Sequence, residues 1–371
     1  MNQHKVCFFN QSSVHYRKNI FMLMDQELGI DFYFGDSRKQ GAIKELDTSC
    51  LKNFKGYFHN INIGPFCWQK GSMKLLKSDY TDIITSADTY CLSFWPLLFR
   101  AKSNNKNIWL WIHGAFGDEG WFKKWMIKTR INKSKGAFLY GNYAKKILIG
   151  WGINEKKLHV IYNSLAYDEQ ILIREHLNTS GIYNQHFGNE NPNIVFIGRL
   201  TKIKKLDQIL NAVKLLKDKG KSFNVTFIGD GVQKDALIKL SEQLELSSQV
   251  WFYGACYDEK QISDFIYNAD MCVSPGNVGL TAMHAMTFGT PVITHNNFCK
   301  QMPEFEAIED GKNGAFFDEN NVASLAKTIA TWVDTHDDRN EIRQYCYRVI
   351  DEKYNPHIQI EIMKKSINES V

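Results

Sequence analysis

Two stretches of this sequence bring together residue types that can handle a phosphate group, and a third places a histidine at a strand end. In Ser274–Val292, SPGNVGLTAMHAMTFGTPV, an apolar run stops at Ser274-Pro275 and a glycine loop runs to Gly279. A helical segment with Leu280, Met283, Ala285 and Met286 follows, before a second apolar run from Pro291. Strand, glycine loop, helix, strand is the grammar of a parallel βαβ unit. The helix start at Gly279-Leu280-Thr281 offers free backbone N–H groups and a partial positive charge, which suits a diphosphate. Gly198-Arg199-Leu200, followed by Lys204, comes directly after the apolar run Asn193–Ile197. Cations placed there would stabilise charge that builds on phosphate oxygens as a leaving group departs. A solvated basic loop is the plainer alternative, because Lys202 and Lys205 crowd the same stretch. His113 ends the run Trp109–Ile112 and precedes Gly114, which projects it from the carboxyl end of a strand; a structural histidine is as common there.

These residues need sheets to position them. Val6–Phe9, Ile30–Phe34, Tyr80–Thr85, Asn107–Ile112, Gly136–Tyr140 and Leu158–Tyr162 read as strands of a first doubly wound domain over residues 1–170. Residues 171–192 are less periodic and end in the polar Gly188-Asn189-Glu190-Asn191-Pro192, which reads as a linker. A second doubly wound domain spans 193–345, with strands Asn193–Ile197, Val225–Ile228 and Val250–Tyr253 alternating with amphipathic helices. Residues 346–371 form a terminal helical segment, and Tyr354–Ser370 is expected to return to the first domain. Two such domains facing across a cleft bind ligand at the carboxyl ends of their strands.

A chain of 371 residues with 44% hydrophobic content suits two domains with ordinary cores. No signal peptide is visible, and the run Tyr90–Phe99 is too short to span a bilayer, so a cytoplasmic protein is expected. Eight cysteines without a CxxC pair read as reduced core residues. The net charge of +5 hides an asymmetry: residues 1–165 carry +12 and the remainder −7. A basic first half is expected to meet something anionic, such as lipid headgroups on the inner face of a membrane or a phosphorylated acceptor. Nucleic acid is not expected, since no binding motif accompanies the charge. Residues 121–130, WFKKWMIKTR, interleave aromatics with lysines. That is the pattern of an interfacial helix, and equally of a core-packed helix with a basic outer face.

The stretch at 276–293 resembles the signature of retaining glycosyltransferases of family 4 (glycosyl transferases group 1), which reads roughly E-G-F-G-L-x-x-x-E-A-M-A-x-G-x-P-V-I. Gly279-Leu280, Ala285-Met286, Gly289 and Pro291-Val292-Ile293 fall in step with it, while Gly276 and His284 replace its two glutamates. The resemblance covers the second domain well and the first weakly. It implies the GT-B fold, a nucleotide-diphosphate sugar as donor and no metal or other cofactor. The implied acceptor is a lipid-linked or cell-envelope glycan, as in capsule or lipopolysaccharide assembly. It also implies that Arg199 and Lys204 hold the donor diphosphate, with Gly198, Gly279, Leu280 and Thr281 around it. By the same likeness His284 stands where a glutamate meets the ribose, His113 acts on the acceptor hydroxyl, and Asn163 shapes the hinge. Asn10, Ser13 and His15 are further acceptor-side candidates. The family's P-E segment before D-G-x-x-G carries two extra residues here, so counting from Pro303 selects Glu304 and counting back from Asp310-Gly311 selects Glu306. Glu306 is the preferred donor-side acid.

Two rivals share this fold. A sugar-nucleotide 2-epimerase needs acids and histidines concentrated on the donor side. A non-catalytic nucleotide-sugar-binding subunit is consistent with the loss of both signature glutamates. Release of free nucleotide separates enzyme from binder, and acceptor dependence separates transferase from epimerase.

Overall fold

A computed structural model describes residues 5–36 and 45–369. The chain divides into two compact units, residues 1–166 with 355–371, and residues 167–354. Ser370, the last residue of the expected returning segment, lies outside the described residues.

The first unit holds an eight-stranded sheet: β1 (Val6–Asn10), β2 (Asp31–Gly35), β3 (Phe54–Ile63), β4 (Phe66–Lys70), β5 (Asp82–Thr85), β6 (Asn107–Ile112), β7 (Gly136–Leu139) and β8 (Leu158–Val160). Their order is β4-β3-β2-β1-β5-β6-β7-β8, and only β3–β4 is antiparallel. The parallel strands are buried on both faces, so they read as continuous apolar runs. Phe8 of β1 packs against Phe21, Phe32, Phe34 and Trp111, which puts much of the chain's aromatic content into this core. The last helix, Pro356–Asn368, belongs to the same core through Ile360, Met363 and Ile367. Its Gln359 donates from Nε2 to the Tyr162 carbonyl at 3.0 Å and accepts from Ser164 Oγ at 2.6 Å.

The second unit holds a six-stranded parallel sheet: β9 (Asn193–Ile197), β10 (Asn224–Ile228), β11 (Val250–Gly254), β12 (Met271–Ser274), β13 (Val292–His295) and β14 (Gly314–Phe317). The order is β11-β10-β9-β12-β13-β14. The chain therefore winds outward from β9 through β11, then returns to β12 and winds the other way. This is the doubly wound order, with its switch point between β9 and β12.

The structure departs from the sequence reading at three places. The boundary expected at 345/346 falls inside the helix Arg339–Lys353, and the second unit runs on to Tyr354. The stretch read as a linker instead forms the helices Tyr167–Arg174 and Ile182–Phe187 within the second unit. Tyr183 is buried there and donates its hydroxyl to the Phe265 carbonyl at 2.7 Å, so one aromatic anchors a segment too polar to show periodicity. The hairpin β3–β4 was not anticipated. It lies at the sheet edge with most side chains exposed, so its apolar signal is weak.

Candidate functional site

The switch point sets two loops side by side. One follows β9 (Gly198–Lys205) and the other follows β12 (Pro275–Gly279), because β9 and β12 are parallel neighbours with Ile194 paired to Met271. The start of the β9 loop is seated by backbone contacts, and its end by the Lys205 ammonium, which donates to Glu319 at 2.7 Å and Asn320 at 2.8 Å. Gly198 N donates to the Ile228 carbonyl at 3.0 Å and Leu200 N to the Asp230 carbonyl at 2.9 Å. A Cβ at Gly229 would lie 1.9 Å from the Gly198 oxygen, so only glycine permits that approach.

Lys204 ends a short 3-10 turn, and its carbonyl accepts from Gly276 N at 3.0 Å. Its Nζ crosses to the second loop and donates to the Asn277 carbonyl at 2.7 Å and to Asn277 Oδ1 at 3.1 Å. Burial lowers the Lys204 pKa; Glu304 opposes this and Arg199 adds to it. Lys204, Arg199 and Glu304 thus share one electrostatic neighbourhood. Arg199 is exposed; its carbonyl accepts from Thr201 N at 3.0 Å, and its side chain makes no hydrogen bond or ion pair with another described residue.

Gly276 explains how the first signature glutamate is lost. A Cβ built there would stand 2.1 Å from the Ile203 carbonyl oxygen and 2.7 Å from Lys204 Cα. The backbone of the β9 loop fills the space a side chain would need.

The helix Leu280–Thr287 begins beside these groups, with Gly279 as its N-cap residue. Thr281 donates its hydroxyl to the Ile197 carbonyl at 3.1 Å, tying the helix to the end of β9, and Leu280 is half-buried. The approach to the helix is clamped by Gln301. Its Oε1 accepts from Val278 N at 2.7 Å, while its Nε2 donates to Thr294 Oγ1 and the His295 carbonyl, each at 2.9 Å.

His284, one turn further along, pairs with Glu259: Nε2 and Oε1 are 2.8 Å apart. Gln170 donates to the same oxygen at 2.6 Å. Burial disfavours the charged carboxylate of Glu259, yet the His284 and Gln170 hydrogen bonds prevail and hold its pKa below the ordinary value.

Of the two rival acids, Glu304 is the one beside the helix start. It is buried, and its Oε2 lies 4.0 Å from where a Cβ on Gly279 would stand. Glu306 is half-buried on the same turn, Pro303–Ala307. We therefore propose Glu304 in place of the expected Glu306 as the donor-side acid, because a single 3-10 turn sends residues two apart in different directions.

In the first unit, His113 follows β6 as expected. Its ring packs on Tyr140 at 4.8 Å between centroids. Arg17 donates to the Tyr140 hydroxyl and lies over the Trp111 ring at 4.8 Å. Surrounding protein and then the Arg17 cation push the His113 pKa down. This favours the neutral imidazole on a residue that is exposed to solvent. Asn10 is committed to structure: its Nδ2 donates to the Ser12 carbonyl at 3.2 Å, and its Oδ1 accepts from Ser86. Ser13 is buried and His15 exposed.

Sequence reasoning missed Glu259, Gln170, Gln301 and Asn277. Nothing marks the first three locally: Glu259 lies 25 residues from His284, Gln170 89 from Glu259 and Gln301 23 from Val278. Asn277, adjacent to Gly276, was open to suspicion as a loop amide.

Against known proteins, residues 183–349 match the family model described as Glycosyl transferases group 1. The chain is 28% identical over 312 residues to an uncharacterized 41.2 kDa protein in the cps region of Klebsiella pneumoniae, covering 78% of this chain and 80% of that protein. It is 26% identical over 330 residues to the poly(ribitol-phosphate) alpha-N-acetylglucosaminyltransferase of Staphylococcus aureus, covering 86% and 61%. Among solved structures, HepE of Anabaena in complex with UDP superposes with a TM-score of 0.73 over 98% of this chain and 100% of that one, at 15% identity. The lipopolysaccharide outer core galactosyltransferase WaaB gives the same TM-score and identity over 99% and 100%. The fold is GT-B: α/β, with two Rossmann-like sheets.

Proposed function

We propose that this protein is a retaining glycosyltransferase. It moves a sugar from a nucleotide-diphosphate sugar to a lipid-linked or cell-envelope glycan at the cytoplasmic face of a membrane. The observation that carries the reading is Lys204, held by Asn277 at the switch point beside the start of helix Leu280–Thr287 and close in charge to the unpaired Arg199. A diphosphate set on that helix start meets backbone N–H groups and two cations. As the sugar–phosphate bond breaks, charge grows on the departing oxygen, and groups already in place stabilise it without reorganisation. The two cations fill the role a divalent ion would otherwise take, so the reaction proceeds without metal. Neutral His113 suits a group that orients or deprotonates an acceptor hydroxyl. The cps-region relative and the S. aureus transferase support an envelope glycan as acceptor.

A second reading, a nucleotide-sugar-binding subunit without turnover, is favoured by Gly276, where backbone occupies the place of a signature carboxylate. One experiment separates the two. The protein is melted with UDP-, GDP- and ADP-sugars, and free nucleotide is then measured with a glycolipid acceptor, with and without EDTA. Stabilisation by one donor and EDTA-resistant, acceptor-dependent release support the transferase. Stabilisation without release supports the binder, and no stabilisation by any donor overturns both. Release that EDTA abolishes and magnesium restores removes the metal-free mechanism.

A further inference from the structure

The first unit carries an apolar groove that the proposed transfer does not use. It measures about 730 Å³ and lies between the helices Phe94–Ala101 and Trp121–Lys133, with Tyr90 and Phe66 closing one end. Trp95 and Phe99 line one wall, and Phe122, Trp125 and Met126 the other. Trp95 also packs against the core, but most of the aromatic edge stands clear of it. The second helix packs inward through Ile127, Arg130 and Ile131, which leaves Trp121 at 82%, Phe122 at 53% and Trp125 at 56% exposure. Phe99, on the opposite wall, is 54% exposed. A cluster of aromatics this exposed marks a contact surface.

The chemistry of the lining narrows the occupant. The lining is mostly hydrocarbon and aromatic ring, with polar atoms confined to Thr89, Lys123, the Tyr90 hydroxyl and the two indole N–H groups, so a sugar would find few hydrogen-bond partners and a hydrocarbon chain would lose none. The rim is cationic. Lys123, Lys124, Lys128 and Lys133 lie on the aromatic helix, which carries no acidic residue, and Arg100 and Lys102 end the other wall. Of the acids near it in sequence, Glu119 accepts from the Phe116 and Gly117 amides at 2.7 and 2.9 Å and Asp88 from the Tyr90 amide at 2.9 Å, while Asp118 is exposed ahead of the helix, so the cations outnumber the acids there. A second copy of this chain would bring like charge to like charge, since residues 1–165 carry +12. No described helix is long and apolar enough to cross a membrane, so contact here is lateral.

We propose that this groove and its exposed aromatic edge dock the first unit on an anionic bilayer. Trp121, Phe122 and Trp125 enter the acyl region, a lipid chain fills the groove, and the lysines face the headgroups. The proposal deepens the membrane-face reading above but is measured without donor or acceptor, so its failure leaves sugar transfer untouched.

The test is co-sedimentation of the full chain with vesicles of phosphatidylcholine and phosphatidylglycerol in equal parts, against phosphatidylcholine alone. Brominated acyl chains serve as tryptophan quenchers in a parallel measurement. Parent protein should sediment with the anionic vesicles, far less with the neutral ones, and be quenched. Trp121→Ser with Trp125→Ser should reduce binding at least about tenfold and abolish the added quenching. Lys123→Gln with Lys128→Gln should weaken binding by about fivefold per lysine. These side chains are outside the core, so unchanged melting curves will confirm folding. Equal binding to neutral vesicles, or anionic binding undiminished in the tryptophan double variant, overturns the proposal. So does vesicle-free self-association through this face.

Discussion

His284 Nε2 lies 2.8 Å from Glu259 Oε1, so the histidine that replaces the second signature glutamate is hydrogen-bonded to a carboxylate from another helix. Glu259 begins the helix Glu259–Asn268 and is fixed a second time by Gln170. The side chain at 284 therefore has a protein partner as well as any ligand it meets.

This pair makes His284→Glu, which restores the family residue, a destabilising change. A glutamate at 284 faces Glu259 at hydrogen-bond range, and two carboxylates there cannot both ionise cheaply. One of them then has a raised pKa, so stability should be lost at neutral pH and partly regained as pH falls. His284→Gln, which can still donate to Glu259, should melt close to the parent. His284→Leu should cost about 1 kcal/mol. In the parent, Glu259 has a depressed folded pKa. Its contribution is therefore present above the unfolded carboxylate range and lost as pH falls through the folded value, and His284→Leu should flatten that acid limb. Melting temperatures across pH 3 to 8 read all three variants (the window spans roughly the carboxylate range). An equal melting curve for His284→Glu and parent at pH 7 would refute the pairing.

Arg199→Ala and Lys204→Ala should each lower turnover by about 100–1000-fold, but they should differ in stability. Arg199 is exposed and holds nothing in the protein, so its variant should melt like the parent. Lys204 pins Asn277, and its loss should cost about 1–3 kcal/mol. Steady-state kinetics alongside urea denaturation makes the comparison; turnover within a few-fold of parent in both variants sinks the diphosphate assignment.

Restoring the family residue by Gly276→Glu should damage the protein. Even Gly276→Ala puts a Cβ 2.1 Å from the Ile203 carbonyl oxygen, a backbone atom that cannot swing aside like a side chain. Overpacking of this kind costs about 1–3 kcal/mol, and the charged, longer side chain should cost more. A Gly276→Ala variant as stable as the parent would show that the β9 loop moves freely.

Glu304→Gln should reduce turnover by at least about tenfold, whereas Glu306→Gln should stay within about twofold. Glu304 supports the charged form of Lys204 against burial. Removing its charge lowers the Lys204 pKa further, so the alkaline fall in turnover should move to lower pH. The pH–rate profiles of the two variants decide between the acids: a shift in Glu306→Gln instead would return the role to Glu306.

What this sequence determined by itself follows from burial. Strands such as Asn193–Ile197 lie within a parallel sheet covered on both faces, so Ile194 to Ile197 are all apolar and the run is legible without a partner. The loops that follow them were legible for the same reason: Ser274-Pro275 and Gly198-Arg199 mark where an apolar run must stop. Tertiary structure alone decided the rest. Glu259 meets His284 across 25 residues, and no local pattern encodes a contact made by packing two helices. Two acids on one turn, Glu304 and Glu306, are equivalent in composition until the fold turns one inward. In Trp121–Lys133 aromatics and lysines alternate too closely for periodicity to choose a face. Only the packing of Ile127 and Ile131 against the sheet left the tryptophans in solvent, because a helix can bury one stripe against a neighbour and must leave the opposite one outside.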